Sequence, residues 1–273
     1  MTRSYGRLVL EIQLARALRH GQPCPRVVRQ AKIHRSGHHW LTGRIHLGRK
    51  KYQGRRAAAF IFDLDGTLID SGLDIARAAN FARGHFKLPD LPPATLIPYI
   101  GDGVVKLLQR ALGHEGGEVG DDKVEEGLVV FRDHYGRHCL DNTALYPGVL
   151  DVLMHFRNLP LMVATNKPRR FTHQILAGLH VDSAFRKIVA AEDVRQRKPD
   201  PAALLACLVG LQVEPSEVVV VGDHVNDIHA ARALGAVSVA ATYGMTPAGL
   251  LWSAKPDLAI ASVSELAELF PSR

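Results

Sequence analysis

Two aspartates one residue apart stand at the end of an apolar run, in the stretch Ala57–Ser71 with the sequence A-A-A-F-I-F-D-L-D-G-T-L-I-D-S. An apolar run followed by turn residues is typical of a buried strand, so Asp63 and Asp65 are expected at its tip, on one face of the extended chain. Two carboxylates this close raise each other's pKa unless a cation lies between them. Mg²⁺, which prefers oxygen ligands, is the cation expected here.

The spacing of these acids suits chemistry at phosphorus. A carboxylate beside Mg²⁺ can attack phosphorus and form an aspartyl-phosphate, and a second carboxyl that holds a proton can protonate the leaving oxygen. A calcium loop also opens with Asp-x-Asp, but it requires Gly at its sixth position and Glu at its twelfth, where this chain has Leu68 and Asp74. The pattern therefore favours phosphoryl transfer over calcium binding.

Further along the chain, polar residues follow other apolar runs. From residue 146 onward these runs alternate with helical patterns, which predicts a parallel sheet covered by helices on both faces. The polar residues near the predicted strand ends are Thr165, Asn166, Lys198, Asp223 and Asp227. Thr165 and Asn166 can hold a phosphoryl oxygen or form an ordinary turn, and the residues alone leave both open. Lys198 either faces solvent or offsets the charge on Asp63.

Residues 71–143 show helical periodicity and no strand pattern. An insert at this place lies over the carboxyl ends of the strands, where ligands bind in open α/β sheets, and would act as a lid that excludes water. The predicted fold is an α/β, Rossmann-like, doubly wound parallel sheet formed by residues 57–70 and 144–273. The helical stretch 71–143 is the predicted cap domain.

Taken in order, D-L-D-G-T, T-N, K-P and G-D-x-x-x-D resemble the four motifs of the haloacid dehalogenase-like (HAD) hydrolases, over about residues 57–273. The resemblance implies that Asp63 is the nucleophile and Asp65 the general acid and base. It implies a Mg²⁺ ion held by Asp63, the backbone carbonyl of Asp65, and Asp223. The implied phosphoryl-binding residues are Thr165, Asn166 and Lys198, and Asp227 would support Lys198 or the metal.

The likeness extends to one branch of the superfamily. Y-I-G-D-G-V-V-K-L-L-Q-R-A-L, T-N-K-P, K-P-D-P and T-Y-G-M resemble phosphoglycolate phosphatases and their near relatives, which implies hydrolysis of 2-phosphoglycolate to glycolate and phosphate. A pyrophosphatase or a sugar phosphomutase on the same core remains an alternative. The family commonly has Ser where this chain has His224, and no catalytic role is assigned to that imidazole.

The charge of the chain is divided unevenly. The net charge of +7 combines a leader, residues 1–56, that carries +13 with a body, residues 57–273, that carries −6. The leader is expected to be a disordered extension or sequence upstream of the true start, with no role in the chemistry. A transit segment and a basic nucleic-acid-binding arm are the alternatives, and the latter predicts salt-dependent binding.

The cysteine content and the apolar runs indicate the cellular environment in which the protein is expected. Three scattered cysteines, Cys24, Cys139 and Cys207, form no Cys-x-x-Cys pair, which argues against a disulfide framework or zinc ribbon and favours a reducing cytoplasm. No apolar run approaches the length of a membrane span. The expected partner is a small phosphorylated substrate, and both a monomer and a homodimer are open.

Overall fold

The strand that carries the aspartate pair lies near the middle of the sheet in the computed structural model, which describes residues 49–117 and 119–271. The strands are β1 (Ala59–Phe62), β2 (Ile69–Asp70), β3 (Ala144–Leu145), β4 (Leu161–Ala164), β5 (Lys187–Val189), β6 (Val218–Gly222), β7 (Val237–Ala241) and β8 (Leu258–Ile260). Six of them form one sheet in the order β5-β4-β1-β6-β7-β8, and every neighbouring pair in it is parallel. The predicted parallel sheet is confirmed.

Helices connect these strands and cover both faces of the sheet. They are α1 (Arg49–Tyr52), α2 (Gly72–His85), α3 (Pro93–Leu96), α4 (Val104–Leu112), α5 (Asp121–His138), α6 (Val149–His155), α7 (Arg169–Gly178), α8 (Ala202–Leu208), α9 (Val225–Leu234), α10 (Ala248–Ser253) and α11 (Glu265–Leu269). Alternate side chains of β1 point to opposite layers, as the pleat requires. Phe60 packs against Phe156 on one face, whereas Ile61 packs on the other with Leu204 of α8 and Ala231 of α9. The doubly wound architecture follows from this two-sided burial.

The helical stretch leaves the sheet and returns to it through a two-stranded ribbon. β2 and β3 pair antiparallel, with Ile69 opposite Leu145 and Asp70 opposite Ala144. Between them the described residues form α2, α3 with a 3₁₀ turn after it, α4 and α5. Small alanines that are fully buried along α2 allow α5 to approach it closely. The start and the end of this helical stretch therefore lie side by side, next to the turn that carries Asp65.

Asp74, in the first turn of α2, fastens the two ends of this stretch together. Its carboxylate is 2% exposed and accepts hydrogen bonds from the backbone N–H groups of Asn142 (2.9 Å) and Thr143 (2.8 Å). The Asn142 amide (2.7 Å) and the Thr143 hydroxyl (2.9 Å) donate to the same carboxylate. A buried carboxylate with four donors is well satisfied, so the ribbon and α2 form one fixed joint.

The last residues of the predicted leader contact the sheet domain. Tyr52 is 4% exposed, lies in the main core cluster, and donates a hydrogen bond from its hydroxyl to Asp257 at 3.1 Å. The backbone N–H of Gly54 donates to the Leu269 carbonyl at 3.0 Å. Residues 49–56 are thus part of the packed structure, and the predictions for residues 1–48 lie outside the described residues. None of the described helices has the length and apolar character needed to cross a bilayer.

Candidate active site

The polar strand ends converge at the carboxyl edge of the sheet. Because β1 lies between β4 and β6, Asp63 after β1 is flanked by Thr165 after β4 and by Asp223 after β6. Lys198 reaches the same edge from the loop that precedes α8. All seven residues predicted from the sequence therefore come together around one cleft, at the place where ligands bind in open α/β sheets.

Lys198 links two of the acids. Its buried ammonium donates to Asp63 Oδ1 at 2.7 Å, to Asp227 Oδ1 at 2.5 Å and to the Ala164 carbonyl at 2.7 Å. Burial by itself disfavours the ammonium, but the carboxylates of Asp227 and Asp63 raise the pKa of Lys198 above its usual range. Lys198 is therefore a fixed positive charge beside Asp63, which decides between the two readings left open by the sequence.

Three carboxylates form a tight acidic cluster. One oxygen from each of Asp63, Asp223 and Asp227 lies within 4.8 Å of the others. Burial, and then the neighbouring charge of Asp227, raise the pKa of Asp63 despite the ammonium of Lys198. Burial, and then the charges of Asp63 and Asp227, raise the pKa of Asp223 well above its usual range. The single positive charge of Lys198 does not balance three carboxylates, so this edge of the sheet lacks positive charge.

The cluster fits a hard divalent cation. All three donors are carboxylate oxygens, which are the ligands that Mg²⁺ prefers. The oxygens of Asp227 accept hydrogen bonds from Lys198 (2.5 Å) and from the backbone N–H of His224 (3.0 Å). Those of Asp223 accept from the Thr67 hydroxyl (3.4 Å) and from Met245 N (2.7 Å), so both carboxylates keep further lone pairs for a metal. The backbone also closes tightly around Asp223, since a Cβ on Gly66 or Gly244 would overlap its carboxylate. The residues present therefore fit the predicted metal.

The side chain of Asp65 turns away from this cluster. It accepts hydrogen bonds from Lys167 Nζ at 2.9 and 3.0 Å and from the Ser71 hydroxyl at 2.5 Å. Its carboxylate is therefore not in the acidic cluster, and only its backbone carbonyl is left for the predicted metal contact. This separation gives the two acids of the first motif different surroundings, as two different chemical roles require.

Sequence reasoning missed the residues that hold Asp65. Lys167 is 6% exposed, and its third N–H donates to the hydroxyl of Tyr135 at 2.8 Å. Tyr135 lies on α5, so this contact joins the helical stretch to the sheet domain. Burial and then the charge of Asp65 raise the pKa of Tyr135, which keeps its hydroxyl neutral. The only sequence signal for this contact is that a lysine directly follows Thr165 and Asn166. The sequence does not show towards which residue the side chain of that lysine points.

Thr165 and Asn166 differ in what they can offer. The Thr165 hydroxyl accepts from Lys167 N at 3.2 Å and retains its own proton for a ligand. The Asn166 amide donates to the carbonyls of Gly101 and Lys198, each at 3.0 Å, and its oxygen accepts from Lys198 N at 3.0 Å. The side chain of Asn166 is therefore occupied in joining three loops, and only its backbone remains for a phosphoryl oxygen.

His224 is the N-cap residue of α9. Its Nδ1 accepts a hydrogen bond from Asn226 N at 3.2 Å, while the backbone N–H of His224 donates to Asp227 at 3.0 Å, which forms a reciprocal capping box. The imidazole also lies against Gly101, where a Cβ would overlap the ring. A serine at this position would cap the helix in the same way but would not extend to the Gly101 loop.

A loop of the helical stretch, Gly101–Gly103, covers one side of the cleft. Asn226 Nδ2 donates to Asp102 at 2.9 Å, and Arg110 Nη2 pairs with the same carboxylate at 2.6 Å. Burial opposes ionisation, but these two hydrogen bonds lower the pKa of Asp102. The wall formed by α2, α4, α5, α7 and the residue before this loop is apolar: Ile75, Ile100, Val104, Leu107, Phe131 and Phe171.

Known proteins resemble this chain in sequence and in fold. A family model described as haloacid dehalogenase-like hydrolase matches residues 60–241. The phosphoglycolate phosphatase of Chromobacterium violaceum is 39% identical over 214 residues, which cover 77% of this chain and 95% of that protein. Phosphoglycolate phosphatase 1 of Pseudomonas aeruginosa is 35% identical over 213 residues, which cover 76% and 77% of the two chains. A Haemophilus somnus crystal structure, described as a predicted phosphoglycolate phosphatase, has a TM-score of 0.72 at 29% identity and covers 77% and 96%.

The parallel sheet and these similarities define a phosphatase-type hydrolase with a doubly wound α/β core. The chain belongs to the haloacid dehalogenase-like hydrolases, since the family model spans about two thirds of it. The matched region includes the two aspartates of the first motif, the helical stretch and the acidic end of β6. The resemblance predicted from the sequence motifs is therefore confirmed at the level of the family.

Proposed function

We propose that the protein is a Mg²⁺-dependent phosphomonoester hydrolase that acts through an aspartyl-phosphate and takes 2-phosphoglycolate as its substrate. The observation that carries the chemistry is the placement of Asp63 at the tip of β1, between a buried ammonium and an acidic cluster. The identity of the substrate is inferred from the similar proteins reported above, which are named phosphoglycolate phosphatases.

The reaction proceeds in two steps at Asp63. A carboxylate oxygen of Asp63 attacks phosphorus, and the bond from phosphorus to the ester oxygen breaks. Asp65, held by Lys167 and Ser71, gives a proton to the departing oxygen and later takes one from the water that hydrolyses the aspartyl-phosphate. Glycolate leaves in the first step and phosphate in the second.

The other residues of the cleft hold the phosphoryl group and its counter-charges. Asp63, the backbone carbonyl of Asp65 and Asp223 would hold the magnesium ion, which would supply positive charge against the phosphoryl oxygens. Lys198 adds a fixed ammonium beside Asp63, and Asp227 keeps that ammonium in place. The Thr165 hydroxyl and the Asn166 backbone N–H donate to phosphoryl oxygens. The helical stretch 71–143 serves as a cap that excludes water.

Substitution of Asp63 tests this assignment. Asp63→Asn keeps the shape of the side chain but removes the nucleophile, so phosphate release from 2-phosphoglycolate with Mg²⁺ should fall by about 1,000-fold or more. Asp151→Asn, which changes an exposed carboxylate on α6, is the matched control and should leave the rate unchanged. An Asp63→Asn variant that keeps most of its activity would exclude Asp63 as the nucleophile.

A substrate panel separates the alternatives on the same core. Wild-type protein is assayed with 2-phosphoglycolate, pyrophosphate and glucose 1-phosphate, with Mg²⁺ and with a chelator. The proposal requires the highest kcat/KM for 2-phosphoglycolate and loss of turnover in the chelator. A higher kcat/KM for pyrophosphate, or conversion of glucose 1-phosphate into an isomer, would identify a pyrophosphatase or a sugar phosphomutase instead.

A further inference from the structure

The nitrogen atoms of the side chains that line the cleft already have partners, with one exception. The three N–H groups of Lys198 contact Asp63, Asp227 and the Ala164 carbonyl, and those of Lys167 contact both oxygens of Asp65 and the Tyr135 hydroxyl. The amides of Asn166 and Asn226 bind loop residues of the helical stretch. Within the described part of the chain, Nε2 of His224 makes no such contact and is not sealed from solvent.

The hydrogen bond on the other side of the ring fixes which nitrogen carries the proton. Nδ1 of His224 accepts from the backbone N–H of Asn226 at 3.2 Å, so it is unprotonated in the neutral ring. The proton is then on Nε2, which makes Nε2 a hydrogen-bond donor. The capping box holds the ring at the start of α9, so this donor has a fixed place beside Gly101.

The rest of the cleft offers little to a charged leaving group. The wall contributed by the helices consists of aliphatic and aromatic side chains that cannot hydrogen-bond a carboxylate, apart from the hydroxyl of Tyr135, which contacts Lys167 Nζ at 2.8 Å on the side of Asp65. The carboxylate of Asp102 is close to this region, but Arg110 and Asn226 compensate its charge. An anionic end of a substrate in this space needs a donor, and Nε2 of His224 is a donor without a partner.

We propose that His224 determines specificity by donating a hydrogen bond from Nε2 to the carboxylate of 2-phosphoglycolate. The inference rests on the proposed function, since it names the residue that reads the carboxylate while Asp63 acts on the phosphoryl group. The His that replaces the Ser common in the family therefore has two tasks. It caps α9 through Nδ1, and it selects the substrate through Nε2.

Paired substitutions separate these two tasks. His224→Ser keeps an oxygen that can cap α9 but removes the donor. His224→Gln keeps an N–H at the far end of the side chain. The two substrates are 2-phosphoglycolate and ethyl phosphate, which has a methyl group in place of the carboxylate. The quantity measured is the ratio of their kcat/KM values, and thermal unfolding of each variant reports any loss of the cap.

His224→Ser should lower the ratio by about tenfold or more, because a hydrogen bond to a charged group is lost, with ethyl phosphate turnover unchanged. His224→Gln should keep most of the ratio. A His224→Ser variant with the wild-type ratio, or one that loses both substrates equally, overturns the inference. Wild-type protein that hydrolyses ethyl phosphate but does not prefer 2-phosphoglycolate refutes the proposed substrate itself, so the two failures are distinguishable.

Discussion

Two buried lysines divide the acids of the cleft between them. Lys198 donates hydrogen bonds to Asp63 and Asp227 of the acidic cluster. Lys167 donates to Asp65 on the side of the helical stretch. Each ammonium uses all of its three N–H groups, so neither side chain can turn without losing a charged hydrogen bond. The two carboxylates of the first motif are therefore held in separate surroundings although only one residue lies between them.

Removal of Lys167 tests its hold on Asp65. Lys167→Met keeps the length of the side chain but leaves the Asp65 carboxylate without its cation, so kcat should fall by about 100-fold. Tyr135→Phe removes only the partner on the other side of Lys167 and should cost less than about tenfold in kcat. Steady-state kinetics measures both. A Lys167→Met enzyme with a kcat close to wild type would exclude a role for this lysine in positioning Asp65.

The raised pKa values of Asp63 and Asp223 predict a pH-dependent response to metal. Without metal, the folded protein keeps protons on these acids that the unfolded chain releases, so its stability falls as pH rises from about 4 through the folded-state pKa values. Mg²⁺ compensates the ionised acids, and we expect it to raise the melting temperature more at pH 8 than at pH 5.

Melting curves with Mg²⁺ and with a chelator at the two pH values measure this effect. Asp223→Asn is the control, because it removes one ionising ligand and should abolish most of the increase at pH 8. An equal rise in melting temperature at both pH values would contradict the assignment of the raised pKa values to the metal site.

The sequence predicts single residues well where a motif determines their place on a strand. Asp63, Thr165 and Asp223 follow strands that the apolar runs identify, and the strand order then brings them together. It does not show the side-chain contacts of Asn166, whose amide bonds to the carbonyl of Gly101, 65 positions earlier in the chain. Contacts of that kind depend on how loops from different elements meet, which no local pattern encodes.

At the scale of elements, the ribbon β2–β3 was not predicted, although the helices on either side of it were. Each of its strands has two residues, too few for alternation of apolar and polar positions to appear. The strands of the sheet, which have three to five residues, appear in the sequence as continuous apolar runs, and the amphipathic helices show their period over several turns.

The joint at Asp74 predicts a loss of stability on substitution. Asp74→Ala leaves the buried N–H groups of Asn142 and Thr143 without an acceptor, so the free energy of unfolding should fall by about 3 kcal/mol. Asp90→Ala, at an exposed position of the same helical stretch, should change it by less than about 0.5 kcal/mol. Urea unfolding measures both, and a loss below about 1 kcal/mol for Asp74→Ala would contradict this role.

At the scale of the whole molecule, the packed sheet domain includes residues 49–56. The charge pattern assigned these residues to the leader because basic residues continue through residue 56, and charge alone does not show that the ring of Tyr52 packs into the core. Burial of one aromatic side chain stabilises a domain by about 2–4 kcal/mol, which is a sizeable share of its total stability.

Two truncations measure what residues 49–56 contribute to the stability of the protein. A chain without residues 1–48 should unfold with the same free energy as the full chain and keep its phosphatase kcat within about twofold. A chain without residues 1–56 should lose about 2–4 kcal/mol, since Tyr52 and its hydrogen bond to Asp257 are removed. Tyr52→Ala in the full chain should reproduce most of that loss. Equal stability of the two truncated chains would exclude a structural role for residues 49–56.

The same truncations test the alternative that the leader binds nucleic acid. That alternative predicts salt-dependent binding by the full chain that disappears when residues 1–48 are removed. Titration of labelled DNA at several salt concentrations measures it. If the full chain does not bind, or binds no better than the shorter chain, the leader has no such role.

The side-by-side ends of the helical stretch have a consequence for how enzymes on this core diversify. The chain leaves and re-enters the sheet domain through two neighbouring strands of two residues each. The positions of the stretch 71–143 that contact neither the first motif nor the loops of the cleft can change without moving Asp63, because the chain passes between that stretch and the sheet domain only at the ribbon. In evolution, the residues that carry out the chemistry at phosphorus can therefore stay the same while changes in the inserted stretch alter the surface that contacts the substrate.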